Sequence, residues 1–305
     1  MEATRRHRRH KRKCQVNEAL AGPRGAAQVS AMGVFHLERW LIRVSGPDRV
    51  SFLQNLLTQT VEDFEGVRYG ALLNAQGKVS ADMLIWTHDD TFILETDLRF
   101  GEDLQRRLGL YKLRAQASVE EAKGLGVVFS AMPFDGAIAD PRIPGGGLGY
   151  RKLVPRAEAM KVQEHDIAYP RLALECGVPD LADNTKSEEL FAGEALLEEL
   201  HGVDFQKGCF VGQENVSRMK RRATTRRKLC RIAFDGERIE GYTPIFAGEA
   251  EIGSVRATAF ARGFALVRLD RAVEASENGV PLTAAGRQIR LDPPPWLILP
   301  SREEA

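Results

Sequence analysis

The sequence predicts an α+β protein, in which a body of antiparallel strands and helices is followed by a small all-β module. Three observations predict it. Short apolar or alternating stretches bounded by Asn, Asp and Gly turns recur between residues 35 and 129, with helical apolar spacing between some of them. These stretches follow one another through hairpin turns, which argues against a parallel doubly wound sheet. After Arg226 the texture changes to short β stretches separated by Gly-containing turns. A chain of 305 residues is long enough for two or three such domains.

Residues 35–44 suit a strand. Ser45-Gly46-Pro47-Asp48 reads as a turn into a helix, and Val50, Leu53, Leu56 and Leu57 give that helix one apolar face. Residues 69–73, 79–86 and 91–95 read as strands, with hairpin turns at Asn74-Ala75-Gln76-Gly77 and His88-Asp89-Asp90. A helix is expected over 98–108, then strands over 113–119 and 125–129. Residues 133–149 are rich in Pro and Gly and read as a loop, whose Gly run lacks the helix-opening context of a nucleotide fingerprint. A strand over 149–155 leads to a helix over 167–176, stopped by Gly177-Val178-Pro179. A further helix is expected over 188–201, weakened by Gly193. The β module comprises 229–234, 243–246, 250–257, 264–268 and 289–291, a pattern that suits a small barrel.

Formal net charge is +1, so attraction to a polyanion would have to come from local patches. No apolar run reaches the ~20 residues that span a membrane, and no apolar h-region follows the charged start. The run from Arg5 to Lys13 is almost wholly basic and has no apolar period, so residues 1–31 are expected to be disordered. Three readings of this extension compete: a segment upstream of a true start at Met32, a tail for nucleic acid or a membrane surface, and an organelle-targeting peptide. The four cysteines, Cys14, Cys176, Cys209 and Cys230, include no C-x-x-C pair. That points to reduced thiols in a cytoplasmic protein and against a permanently bound metal or cluster ligated by this chain alone.

The segment with the most chemistry is Lys207-Gly208-Cys209-Phe210-Val211-Gly212-Gln213-Glu214. Gly208 and Gly212 bracket the cysteine, so the backbone can turn sharply and approach a ligand. Gln213-Glu214 reads as a helix start. A thiol near a helix N-terminus with Lys207 beside it is a candidate nucleophile, redox thiol or transient metal ligand. The plain alternative is an inert cysteine in a packing turn, and that reading is the better one for Cys14, Cys176 and Cys230.

This segment resembles the K-G-C-[FY]-x-G-Q-E signature of the YgfZ branch of the folate-binding T-protein superfamily. Further resemblances follow in the family's order: Phe52–Thr58, Leu72–Lys78, Tyr111-Lys112-Leu113-Arg114-Ala115 and Leu172–Pro179. The resemblance implies a multidomain T-protein-like α+β body over 32–225, with a central folate cavity, and a C-terminal β-barrel over 226–300. It implies tetrahydrofolate as cofactor, with Gly208, Gly212, Gln213 and Glu214 near it and with Cys209 and Lys207 as the catalytic pair. Glu175 aligns with the glutamate that holds the pterin's donor edge. Asp82 aligns with an aspartate near the folate's reactive nitrogens, although Ala81 stands where T-proteins often carry a second acid. Either carboxylate could otherwise be a solvated side chain.

The function implied is help in assembling or repairing iron–sulfur clusters, with client enzymes, tRNA-modifying ones included, and cluster-assembly proteins as partners. A monomer is implied as well. One alternative is a folate-dependent aminomethyltransferase acting on a small amine, against which the incomplete acidic pair weighs. Another is an RNA-binding module using Arg218, Lys220, Arg221, Arg222, Arg226, Arg227, Lys228 and Arg231. The lack of interleaved aromatics weighs against direct nucleic-acid binding. The same cations could hold folate's glutamate tail, or simply be solvated at a domain junction.

Overall fold

The structure, a computed structural model, describes residues 33–162, 168–221, 226–259 and 261–300. The basic extension 1–31, Met32, Ile167 and Arg222 lie outside the described residues. The chain from residue 32 onward forms one compact unit.

The stretch expected as one strand is two, β1 (Phe35–Leu37) and β2 (Trp40–Ser45), which enter different sheets. Then come α1 (Arg49–Gln54), β3 (Val67–Leu73), β4 (Val79–His88), β5 (Thr91–Thr96), α2 (Leu98–Tyr111) and β6 (Ser118–Glu121). β7 (Leu125–Ser130), β8 (Ile138–Ala139) and β9 (Tyr150–Pro155) follow. One antiparallel sheet has the order β3-β4-β5-β2-β6 and the other β1-β7-β9-β8. The β3–β4 turn forms because the Asn74 side chain accepts from the backbone N–H groups of Gln76 and Lys78, both at 3.0 Å, while Gly77 takes φ +80°. The helix α2 is capped by the Asp97 carboxylate, which accepts from Arg99 N at 2.9 Å. Asp48 does not cap α1; its carboxylate accepts from Gln116 N at 2.7 Å and ties α1 to the segment before β6.

Two expectations fail for identifiable reasons. The strand expected over 113–119 begins only at Ser118, because α2 runs on to Tyr111 and Leu113 adopts a left-handed conformation. Residues 188–201 are a series of turns rather than a helix, with positive φ at Glu188, Leu196 and His201. Their backbone groups are drawn outward: Val79 N donates to Leu190 O at 2.8 Å and Glu188 N to Val79 O at 2.7 Å. The start of the segment thus pairs with β4, and further on its internal bonds mix turn sizes (Leu196 N to Gly193 O, Ala195 N to Phe191 O, Leu197 N to Ala192 O), so no regular helical ladder forms.

The body continues after β9 with the helices α3 (Arg156–Ala159), α4 (Ala168–Cys176), α5 (Leu181–Asn184) and α6 (Gln213–Arg221). The strands β10 (Arg227–Phe234), β11 (Pro244–Ala247), β12 (Ala250–Ala259), β13 (Arg262–Arg268), β14 (Leu282–Ala284) and β15 (Arg287–Leu291) close into a six-stranded barrel, in the order β10-β13-β12-β11-β14-β15. Ile232, Phe234, Ile245, Val255, Val267 and Ile289 fill it. The helix α7 (Leu269–Glu277), absent from the sequence reading, adds Ala272 and Ala275 to this core. It is short, nine residues, and follows β13 directly, so no turn residue separates it from the strand in the sequence.

Candidate functional site

Cys209 is exposed on the loop that precedes α6. A Cβ added at Gly208 would meet nothing within 4 Å, so the space beside the thiol is open. Gly212 is the opposite case. Its φ is +82°, and a Cβ there would come within 2.6 Å of Asn74 O and 3.0 Å of Gly77 Cα. Two motifs more than a hundred residues apart therefore meet backbone to backbone, where only glycine fits. Asn215 strengthens the junction by donating to Gln76 O at 2.7 Å. Phe210 is buried while its neighbour Cys209 faces outward. Gln213 and Glu214 open α6; the Gln213 amide reaches Gly208 O at 3.5 Å, and Glu214 is exposed in the first turn.

Lys207 is buried, and its ammonium donates to Leu57 O at 2.7 Å and Gln59 O at 3.0 Å. Burial pulls its pKa down to about 8, against the opposing charges of Asp204 and Glu62. The sequence reading made Lys207 a catalytic partner of the thiol. Its ammonium is instead committed to the turn after α1, so it holds the loop on which Cys209 stands.

Asp82, on β4, accepts a hydrogen bond from the Tyr69 hydroxyl at 3.0 Å. Burial pushes the Asp82 carboxyl up, while Arg142 and the Tyr69 hydrogen bond pull it back. Burial, and then the Asp82 charge, push the Tyr69 phenol well above its ordinary value. Arg142 stacks its guanidinium 5.3 Å from the Tyr69 ring, donates to the Tyr169 hydroxyl, and is held by Asp140 at 2.7 and 2.9 Å. Behind it, Arg151 bridges Asp140, at 3.2 Å, and Glu95. Burial alone would push Asp140 up, but Arg142 and Arg151 hold it below the usual carboxylate range. The Arg151 Nη2 is buried without a hydrogen-bond partner among the described residues. The sequence reading missed Tyr69, Arg142, Arg151, Tyr169 and Glu95. They come from both sheets, the loop after β8 and α4, and no local spacing links them.

Glu175, on α4, pairs with Arg171 at 3.2 Å. Ala168, Tyr169 and Ala173 form the buried face of α4, which turns Glu175 onto a different flank from Tyr169. Among the described contacts none joins Glu175 to Asp82 or to the Cys209 loop. Four of the eight residues in the basic run are paired with acids. Lys220 pairs with Glu198 at 2.8 Å, Arg227 with Glu194 at 2.9 Å, Lys228 with Glu199, and Arg231 with Asp292 at 3.0 Å. Cys176 donates to Gly147 O at 3.1 Å, and burial pushes its thiol up. Burial pushes Cys230 up to about 12. Both are poor nucleophiles, which leaves Cys209 as the accessible thiol among the described residues.

Comparison with known proteins places these features in a context. Residues 226–298 match the family described as CAF17, C-terminal beta-barrel domain. The chain is 30% identical over 213 residues to the mitochondrial iron-sulfur cluster assembly factor IBA57 homolog of Pyricularia oryzae, covering 63% of this chain and 54% of that protein. It is 28% identical over 302 residues to mitochondrial IBA57 of Homo sapiens, covering 84% and 83% of the two chains. It spans 54% to 65% of the length of the relatives from Pyricularia oryzae, Neurospora crassa and Mus musculus. The crystal structure of glycine cleavage system aminomethyltransferase T from Bartonella henselae superposes with a TM-score of 0.70 at 18% identity, covering 87% of this chain and 86% of that one. The fold is thus aminomethyltransferase-like with a closed C-terminal barrel, as the motifs implied. The sequence similarity is to proteins named IBA57, and none of these names specifies the YgfZ branch. The expected cytoplasmic location is overturned, because the relatives are named mitochondrial proteins.

Proposed function

We propose that this chain is a mitochondrial iron–sulfur cluster assembly factor that binds tetrahydrofolate in its body and uses Cys209 as its working thiol. The observation that carries the reading is an exposed thiol on a loop held by Lys207 and Gly212, with open space beside it. The names of its relatives support the assembly role. Among the described residues no group of three or more His, Cys, Asp or Glu is placed to hold a metal ion. A cluster touched by Cys209 would then be cargo, with its other ligands supplied by a partner.

The residues around Asp82 fit a pterin-like ligand. The carboxylate offers an acceptor and the orphaned Arg151 Nη2 offers a donor, beside the Tyr69 and Tyr169 rings over which Arg142 and Arg151 lie. Bound tetrahydrofolate would supply a nucleophilic ring nitrogen that carries one-carbon units. Asp82 would accept from an N–H of the ligand and orient it. Glu175 would have to release Arg171 to take the pterin's donor edge, so ligand and arginine compete for it.

The test is calorimetric titration of tetrahydrofolate into the full chain, with Glu175→Ala beside it, and rescue by Cys209→Ala of cells lacking their own relative. We expect saturable binding, weakened at least about tenfold in Glu175→Ala. Cys209→Ala should fold, bind folate, and fail to restore cluster-dependent enzymes, tRNA-modifying ones among them. Full rescue by that variant would reject the working thiol. Absence of binding would reject the folate arm, and turnover of an aminomethyl donor by the purified chain would favour a transferase instead.

A further inference from the structure

The C-terminal turn of α2 breaks two local rules of helix design on one exposed surface. Gly109 lies inside the helix, exposed, and a Cβ there would meet nothing within 4 Å. Alanine would fit and would favour the helix, so no internal contact accounts for the glycine. Four residues on, the opposite conflict occurs. Lys112 caps the helix, and Leu113 occupies the following position with φ +44°, where glycine is the ordinary residue. A left-handed backbone is strained for a residue that carries a side chain. Leu113 does not recover that cost by burial, since it is 87% exposed. Leu110 is 64% exposed and Tyr111 38% exposed beside it.

The charge around this apolar tip is one-sided. From Leu104 to Ala117 there are four cations and no acid. Arg106 and Arg107 pair back to Asp103. Lys112 and Arg114 have no ion pair among the described residues. Local rules broken without an internal gain mark places where the gain lies in another molecule.

We propose that the α2 C-terminal turn is a docking knob for a partner protein whose surface offers an apolar socket rimmed by Asp and Glu. Leu113 enters the socket, Leu110 and Tyr111 line its edge, and Lys112 and Arg114 meet the acidic rim. The missing side chain at Gly109 lets the partner's backbone come close to the helix. Three features favour a protein over other anionic partners. A fixed, strained backbone that presents one side chain suits a preformed socket, whereas a lipid surface is fluid and rewards no such geometry. Two exposed leucines beside a single tyrosine gain little from nucleic-acid phosphates, and no run of aromatics is there to stack bases. Removing a helical methyl matters only where a solid surface approaches. This surface is independent of whether the chain binds folate.

The test places a photo-crosslinking amino acid at Leu113 of the full chain in cells that lack their own relative, with the exposed Glu102 as control position. The crosslinked protein is identified, purified, and titrated against wild-type chain, Leu113→Gly and the pair Lys112→Glu with Arg114→Glu. We expect one protein crosslinked at 113 and not at 102, through a peptide rich in Asp or Glu. Leu113→Gly should raise the melting temperature, by restoring the favoured residue, and still weaken binding about tenfold or more. The charge reversal should weaken it as much, and added salt should weaken wild-type binding. A more stable Leu113→Gly that binds like wild type would overturn the proposal. So would crosslinks only to a second copy of this chain, to RNA, or to phosphatidylserine-containing vesicles, and so would equal yields at 113 and 102.

Discussion

The ammonium of Lys207 does structural work in a place where catalysis was expected, and its titration gives a way to see it. Its folded pKa is lowered to about 8, below the ordinary lysine value of about 10.4. Between these values the unfolded chain binds a proton that the folded chain does not, so stability rises with pH across that window. Below about pH 8 both states are protonated, and the cost of burying the charge is constant. Lys207→Met removes the titration and leaves Leu57 O and Gln59 O without their donor. The variant should therefore be less stable than wild type by about 1–3 kcal/mol near pH 10, with a smaller difference near pH 7. Urea melts at the two pH values check this, and a gap that narrows as pH rises would contradict the clamp. Lysine beside Gly-Cys invites a catalytic reading from sequence. Its acceptors lie 148 and 150 residues earlier in the chain, and no local pattern could have exposed them.

At the scale of elements, α2 contains two glycines for which helix propensity makes the same prediction and packing makes opposite ones. Propensity alone favours Ala over Gly by about 0.8–1 kcal/mol at each. A Cβ at Gly101 would fall inside the Trp40 indole, whereas one at Gly109 meets open space. Overpacking a buried contact costs about 1–3 kcal/mol, more than propensity returns. Gly101→Ala should thus destabilise by about 1–2 kcal/mol, and Gly109→Ala should stabilise by about 0.5–1 kcal/mol, read from denaturant midpoints. Equal shifts in the two would mean that α2 does not pack on β2 through Trp40. The existence of α2, and of the hairpin strands β3, β4 and β5, was legible because apolar spacing and turn residues agree there. The apolar spacing of 188–201 looks helical, while its first backbone groups pair on and beside β4 and the rest close turns of mixed size. The Cys209 loop was legible as a motif. The Tyr69–Asp82–Arg142–Tyr169 cluster was legible only at Asp82, since three strands or loops and a helix must fold before its members meet.

At the scale of the molecule, body and barrel are joined where the candidate folate helix ends. The guanidinium of Arg231, on β10, donates to Leu174 O at 3.2 Å and to Glu175 O, and thereby satisfies the last carbonyls of α4. The same side chain holds Asp292 O and the Asp292 carboxylate, both at 3.0 Å. Trp296 Nε1 donates to Cys176 O at 3.0 Å, and a Cβ at Gly177, which has φ +73°, would lie within 2.6 Å of Pro294 Cγ. The end of α4 is therefore clasped by the barrel's first strand and by the chain that leaves its last. Arg231→Met would leave two helix-end carbonyls and Asp292 O without this donor and would remove the ion pair to the Asp292 carboxylate, a loss of about 2–3 kcal/mol. Wild type should unfold in one transition, with intrinsic fluorescence and far-ultraviolet circular dichroism coincident. In Arg231→Met the midpoint should fall, and tetrahydrofolate binding should weaken more than global stability explains, because Glu175 belongs to the turn that has come loose. If folate affinity were unchanged in a variant destabilised by that amount, the barrel would stabilise the fold without positioning α4. The clasp would then have no part in ligand binding.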